Sequence, residues 1–490
     1  MKKNIILACI CVASCLSSCD NYLDVIPKGQ SVLHTTEDYL GLLEPLQDTS
    51  YPIDDFGYTA NEQTWYILTE LEGYKNYLRS AGFFWDENFD RASNITADES
   101  CTQLYNQCYA RISRYNILID NIGDADGPES DKVRGTAQAK VMRAYNYFFL
   151  LNTFAKPYNP ATATTDRGII VRKQFELEAE AQQLSVADTY SFILQDLNES
   201  IDNLPERATN NLQPDKAAGY AIRAKVRLYM RDFDGALSDA LEVLKFSNHE
   251  LWNINVDVTA FLAQYPFLSM SPETMVWQMM RSMSPLQHPI TDSENLIYCY
   301  HNIGGAPASM RKHISDLFDA SSDLRYNLIC TPGANRATGE PGYLPFLNST
   351  LTRLNESGIR LSEVYLIIAE CYARKGNTGL TLQYMNDLRK NRLSTKTYKD
   401  LTAADVDSSK DNALLSLVRE ERIRELMTSC NSFFDMRRFC TEFNETLTKT
   451  YVDSNGESHT YTLKPDSHLL TFPFPVRAMQ TTSNLIQNSK

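Results

Sequence analysis

Cys19 carries the clearest covalent chemistry in this 490-residue chain. It follows Lys2-Lys3, an apolar run from Ile5 to Leu16 and the step Leu16-Ser17-Ser18, the pattern of a lipoprotein signal peptide cut before its cysteine. The apolar run is too short to stay in a bilayer as a spanning helix. Once freed, the thiol and α-amine of Cys19 can both be acylated, and at about 0.8 kcal/mol per buried methylene two or three chains attach a protein almost permanently. The sequence therefore predicts a signal peptide over residues 1–18, lipid attachment at Cys19 and an N-terminal tether over residues 19–35.

Two further stretches suit holding a small polar molecule rather than reacting with one. Tyr58, Asn61, Trp65, Tyr66, Tyr74, Tyr77 and Trp85 form the first, and His288, Asn295, Tyr298, Tyr300, His301 and Asn302 the second. Flat aromatic faces meet the C–H groups of a sugar ring, while amides and charged or polar groups meet its hydroxyls. Trp65, Tyr74, Trp85, Tyr298, Tyr300, His301 and Asn302 are the candidate ligand contacts, and Tyr343, in the loop Gly339 to Phe346, is the next candidate. For each aromatic the alternative is a place in the core. Trp277, in the apolar run Thr274 to Met280 that reads as a strand, is expected to be core.

Chemistry of the catalytic kind finds little support. Arg422 and Glu425 fall on the same helical face as Leu414, Leu415, Val418 and Leu426, and charges on an apolar face must pair or be solvated. Structural pairs are expected, Arg422 with Glu425 and Asp435 with Arg437 or Arg438, in preference to a catalytic Glu425. No facing carboxylates are marked by spacing, and no GxSxG elbow, phosphate loop or dinucleotide fingerprint occurs. No enzyme activity and no cofactor is expected. With neither a CxxC pair nor an HExxH helix, zinc is not expected either. Asp453-Ser454-Asn455-Gly456 is only partly like a calcium loop, and its Asn-Gly step reads as a hairpin turn between Thr448 to Val452 and Ser458 to Leu463.

These groups sit on a chain patterned for helices. Thr102 to Ile122, Gly135 to Phe154 and Val186 to Leu204 carry apolar residues at three- and four-residue intervals, the second ending at Lys156-Pro157 and the third at Pro205. Leu228 to Leu237 aligns with Cys371 to Leu380, each reading as helix, tight turn and helix, which is the tetratricopeptide pattern. Residues 247–350 are instead rich in Pro, Gly, Ser, Asn and aromatics, and predict a strand and long loops. The cysteines past Cys19, namely Cys101, Cys108, Cys299, Cys330, Cys371, Cys430 and Cys440, are odd in number, which excludes a complete disulfide framework. Cys101 and Cys108 lie seven residues apart on one predicted helix, about 10 Å and beyond disulfide reach. The net charge of −14 becomes about −16 without Lys2 and Lys3, and such a surface repels phosphate backbones, so no nucleic-acid partner is expected. The expected fold is mostly α, a helical-repeat scaffold with long loops and a few short strands or hairpins. Its regions are 36–260 and 261–490, the second carrying a loop-rich insert, within one compact domain.

In five places the chain resembles the SusD/RagB family of outer-membrane nutrient-binding lipoproteins. Cys19-Asp20-Asn21-Tyr22-Leu23-Asp24-Val25-Ile26-Pro27 is similar to the family's lipidated start. Gly135 to Phe148 with Lys156-Pro157-Tyr158 is similar to its helix and "KPY" exit, and Ile359 to Glu370 to its repeat helix. Glu421-Arg422-Ile423-Arg424-Glu425-Leu426 with Phe434-Asp435-Met436-Arg437-Arg438-Phe439 resembles its "ERR … DLRR" signature, and Phe472-Pro473-Phe474-Pro475 with Asn484 to Asn488 its tail. Thr482-Ser483 departs from the usual Asn-Pro, and Thr428 to Asn431 lacks the usual Glu-Gly. The resemblance implies a SusD-like fold, an outer-membrane location facing the cell exterior, and a SusC-like TonB-dependent transporter as partner. It implies capture of an oligosaccharide, with peptide capture and a ligand-free scaffold for surface enzymes as the alternatives.

Overall fold

The computed structural model describes residues 33–43, 51–60, 64–65, 78–175, 182–271, 273–283, 292–299, 309–334, 341–345, 355–427, 429–452 and 455–488. Cys19, residues 20–32 of its tether, and Tyr74, Tyr300, His301 and Asn302 lie outside these residues.

A row of antiparallel helices forms the scaffold. It begins with α1 (Ser100–Asn121) and α2 (Glu129–Phe154), continues through α3 (Val186–Ser200), α4 (Lys216–Tyr229) and α5 (Phe233–Val243), and passes from α5 to α8 (Leu361–Arg374) and α9 (Thr378–Arg389). Two intervening helices, α6 (Ile254–Gln264) and α7 (Glu273–Met283), stand apart from the row, and α10 (Ala413–Leu426) and α11 (Asn431–Phe443) close it against α8. The helices expected from periodicity are all present.

Helix α2 is the centre of the core. From Ala137 to Phe154 nearly every residue is buried, and Tyr145, Phe148, Phe149 and Phe154 interlock edge-to-face and stacked with Tyr51, Tyr105, Phe434 and Phe474. A helix covered on all sides can keep polar residues only if they are satisfied. Arg143 accordingly makes two hydrogen bonds to Asp196 of α3, at 2.8 and 2.7 Å, and Asn146 accepts from Tyr51 Oη at 3.2 Å.

Two helix pairs, α4–α5 and α8–α9, repeat one turn device. Arg231 at φ 62° and Gly376 at φ 68° reverse the chain, and Asp232 and Asn377 then cap the second helix, accepting at 3.0 Å from Gly235 N and Leu380 N. The device corrects the sequence alignment by two residues. Arg231 matches Gly376 rather than Arg374, and Tyr229 matches Arg374 as the last helical residue. Residue identities such as Tyr229 with Tyr372 drew the alignment, whereas the left-handed residue and its cap set the true register.

The apolar run Thr274 to Met280 lies in helix α7, not in a strand. Val276, Trp277 and Met280 are buried on one side of it against Ile254, Phe261, Leu268, Leu324 and Leu328, a small core separate from the main one. Trp277, 5 % exposed, is core as expected. A short apolar run reads equally as buried strand or buried helix, which explains the misreading. The C-terminal hairpin matches expectation: β9 (Leu447–Val452) pairs antiparallel with β10 (Ser458–Leu463), with Gly456 at φ 84° in its turn.

Candidate functional site

A long excursion leaves the scaffold and returns at one point. Strand β4 (Asn295–Ile297) pairs antiparallel with β8 (Ile359–Arg360), and Ser357 N donates to Cys299 O at 3.0 Å. Everything between is therefore an insert with a closed stem. Asn355 ties the stem. Its amide donates to Asn295 Oδ1 and Ile297 O at 3.0 and 2.5 Å, and its oxygen accepts from Cys299 N and Gly358 N at 3.0 and 2.9 Å. Gly358 is required there because a Cβ would overlap Ile297 O and Asn355 Oδ1. Tyr298 N to Asn211 O at 2.8 Å and Tyr145 Oη to Ser357 O at 2.6 Å fix the stem to the row of helices.

The insert carries a small sheet to which Thr64 and Trp65 of the first aromatic stretch add an edge strand. Its strand order is β1–β5–β7–β6, with β1 (Thr64–Trp65), β5 (Ser309–Met310), β7 (Pro341–Pro345) and β6 (Cys330–Ala334), all antiparallel. Trp65 pairs with Ser309, and Met310 with both Thr64 and Tyr343. Trp65 and Tyr343, 278 positions apart in sequence, are thus two strands apart and in adjacent rows of one sheet. The register brings one residue of the first stretch to the loop named as the next candidate. Sequence reasoning had no signal for this sheet, since a two-residue strand such as β1 shows no periodicity.

Two candidates lie in the interior. Trp85 is 3 % exposed, at φ 47°, in a cluster with Cys440, Leu463, Leu469 and Leu470. Its indole N–H donates to Thr59 O at 2.9 Å, and the Lys449 ammonium sits 4.1 Å from its ring centroid. Tyr298 is 4 % exposed at the end of the stem. In both, the core alternative describes the side chain, and neither ring offers an open face. Asn295, 2 % exposed, is likewise part of the stem.

Charged residues of the signature pair partly as expected, Asp435 with Arg438 being present while Arg422 and Glu425 do not pair. Arg422 pairs with Asp435, not Glu425, and Asp435 also takes Arg438, at 2.8 Å in each case. Arg437 instead donates to Ala155 O, capping the end of α2. Glu425 is held by Arg325 at 2.8 Å and Arg392 at 2.9 Å, and Glu421 by Arg325 at 2.8 Å and Arg424 at 2.7 Å. Burial would raise the pKa values of these two glutamates, but the surrounding guanidiniums outweigh it, lowering Glu421 to about 2 and Glu425 further. A buried carboxylate kept ionised in this way is a poor proton donor, and the cluster acts as a structural tie. Among the described residues, no helix is long and apolar enough to cross a membrane.

Comparison with known proteins agrees with this architecture. Residues 21–228 match a SusD-like family model described as "Starch-binding associating with outer membrane", and residues 347–490 match the model of the SusD family. No curated protein sequence matches. A putative sugar binding protein from Bacteroides vulgatus is similar in structure, with 18 % identity and a TM-score of 0.69 over 94 % of this chain and 99 % of that one. A SusD superfamily protein from Bacteroides thetaiotaomicron is similar at 19 % identity and a TM-score of 0.67, over 93 % and 100 % of the two chains. Both matched models represent one family, in order along a single row of helices, and the chain belongs to the SusD/RagB family.

Proposed function

We propose that this protein is a surface lipoprotein of the outer membrane that captures an oligosaccharide and hands it to a SusC-like TonB-dependent transporter for import. The observation that carries the reading is the match of residues 21–228 to a family described as starch-binding and associating with the outer membrane. The stem-closed insert supports it, since long loops on a rigid scaffold are the usual seat of binding. In this reading Trp65, Tyr74, Tyr300, His301 and Asn302 contact the sugar, and Tyr343 is the next candidate. Cys19 carries the lipid, and residues 19–35 tether the scaffold to the membrane.

Two measurements on the lipidated protein test the proposal. Mild detergent extraction of the membrane should recover a large TonB-dependent barrel together with this protein, and a glycan array should return an oligosaccharide class that calorimetry confirms. Consistent absence of the barrel, with and without glycan, would remove the transporter role. Binding of peptides with no glycan retained would replace the ligand.

A further inference from the structure

Away from the insert, a groove of about 370 Å³ runs between α1, the strip 171–175 that follows strand β2 (Arg167–Ile170), and the C-terminal helix Val476–Thr481. Its volume lies in the range of small-molecule sites. Tyr105, Tyr109 and Ile112 of α1 line it on one side, and Phe175, 42 % exposed, lines it on another. The charged side chains among its lining residues are Arg172 and Arg477, with no carboxylate. Among the described residues neither guanidinium makes an ion pair or a hydrogen bond. On a chain of net charge −14 this is a local reversal of sign.

The strip is held in place before any ligand arrives. Asn116 Nδ2 donates to Arg172 O at 3.1 Å and to Gln174 O at 3.2 Å, while Phe175 N donates to Asp120 at 2.8 Å. Tyr147 Oη and Arg143 Nη1 donate to Arg172 O and Lys173 O, each at 2.8 Å. Such a wall loses little freedom on binding. Two free guanidiniums recognise a carboxylate in a planar, charge-assisted way, and aromatic rings beside them suit the C–H groups of a sugar ring.

We propose that this groove binds an acidic sugar unit, a uronic acid, through Arg172 and Arg477 with Tyr109 and Phe175 against its ring. The proposal rests on the groove alone and stands whichever ligand the insert takes.

Calorimetry and amide chemical-shift titration of the soluble Cys19→Ala protein test it, with D-galacturonate, D-galactose and acetate as probes. Galacturonate should bind at least tenfold more tightly than either galactose or acetate, shift the Phe175 amide and weaken as salt rises. Arg172→Gln with Arg477→Gln should reduce its affinity tenfold or more with the melting temperature unchanged. Should that double variant fail to fold, Phe175→Ser carries the same test at an exposed position. Equal binding of galactose, acetate binding as tightly as galacturonate, or unchanged affinity in the folded variants would overturn the proposal.

Discussion

Arg422 of α10 grips Asp435 of α11 with two hydrogen bonds, Nε to Oδ2 at 2.8 Å and Nη2 to Oδ1 at 3.1 Å. Asp435 also accepts from Arg438, and Arg438 reaches Glu370 of α8 at 2.6 and 2.7 Å. One chain of charges thus joins α8, α10 and α11, with the Arg422 side chain only 2 % exposed. Removing one partner of such a group leaves buried charge uncompensated. Arg422→Ala should lower stability by about 3–5 kcal/mol in urea denaturation. A loss below 1 kcal/mol would mean that water reaches the pair and that it adds little.

Two buried carboxyls predict a stability that falls on both sides of a mildly acidic optimum. Burial, with Asp55 beside it, pushes Glu99 up from 4.5 to about 7. Glu99 holds its proton longer when folded than when unfolded, so its contribution is full below pH 4.5 and is lost as pH rises through 7. Glu421 runs the other way. Held at about 2 by Arg424 and Arg325 against the effect of burial, it contributes fully above pH 4.5 and its contribution disappears as pH falls toward 2. Glu99→Gln should therefore abolish a loss on the order of 2 kcal/mol between pH 4.5 and 7.5 while leaving the acid limb intact. Parallel profiles for the two proteins across that range would show that Glu99 titrates normally.

The matched turns predict substitutions of opposite sign. Both turn positions are left-handed, a conformation that costs most L residues about 1–2 kcal/mol. Gly376→Ala should then destabilise by about 1 kcal/mol, and Arg231→Gly should stabilise by a few tenths to about 1 kcal/mol once the added chain entropy is offset. Thermal melts of the two single variants check the equivalence directly. If both lower the melting temperature, Arg231 is held by its side chain and the two turns are not alike in energy.

What was legible in the sequence followed the length of each signal. Helices α1, α2 and α3 repeat their apolar stripe over four or more turns, and the Asn455-Gly456 step marks its own hairpin. Helix α7 offered only one short apolar run, so its type was ambiguous until Ile254, Phe261 and Leu328 were seen to cover one side of it. Of the ion pairs, Asp435 with Arg438 was foreseen, whereas Arg422 and Glu425 take partners other than each other. Glu425 takes Arg392 and Arg325, 33 and 100 positions away, and spacing along one helix holds no information about them. At the candidate site the same rule holds, because the pairing of Trp65 with Ser309 depends on a fold-level meeting of distant segments.

That division also sorts the aromatic residues into two experimental classes. Trp85 and Tyr298 are 3 % and 4 % exposed, and truncating a buried large aromatic costs about 3–5 kcal/mol, so Trp85→Ala and Tyr298→Ala should each lower the melting temperature by several degrees. Trp65 belongs to a two-residue edge strand, and Tyr300 lies three positions past strand β4 in sequence. Trp65→Ala combined with Tyr300→Ala should leave melting within a degree or two of wild type. Oligosaccharide affinity should fall at least tenfold, since each ring contributes roughly 0.5–1.5 kcal/mol beyond the area it buries. If the pair unfolds the protein, both rings are core and the sheet carries no ligand. If binding survives in a folded pair, the contacts lie elsewhere, and Tyr343→Ala, one row away from Trp65 in the same sheet, is the next variant to measure.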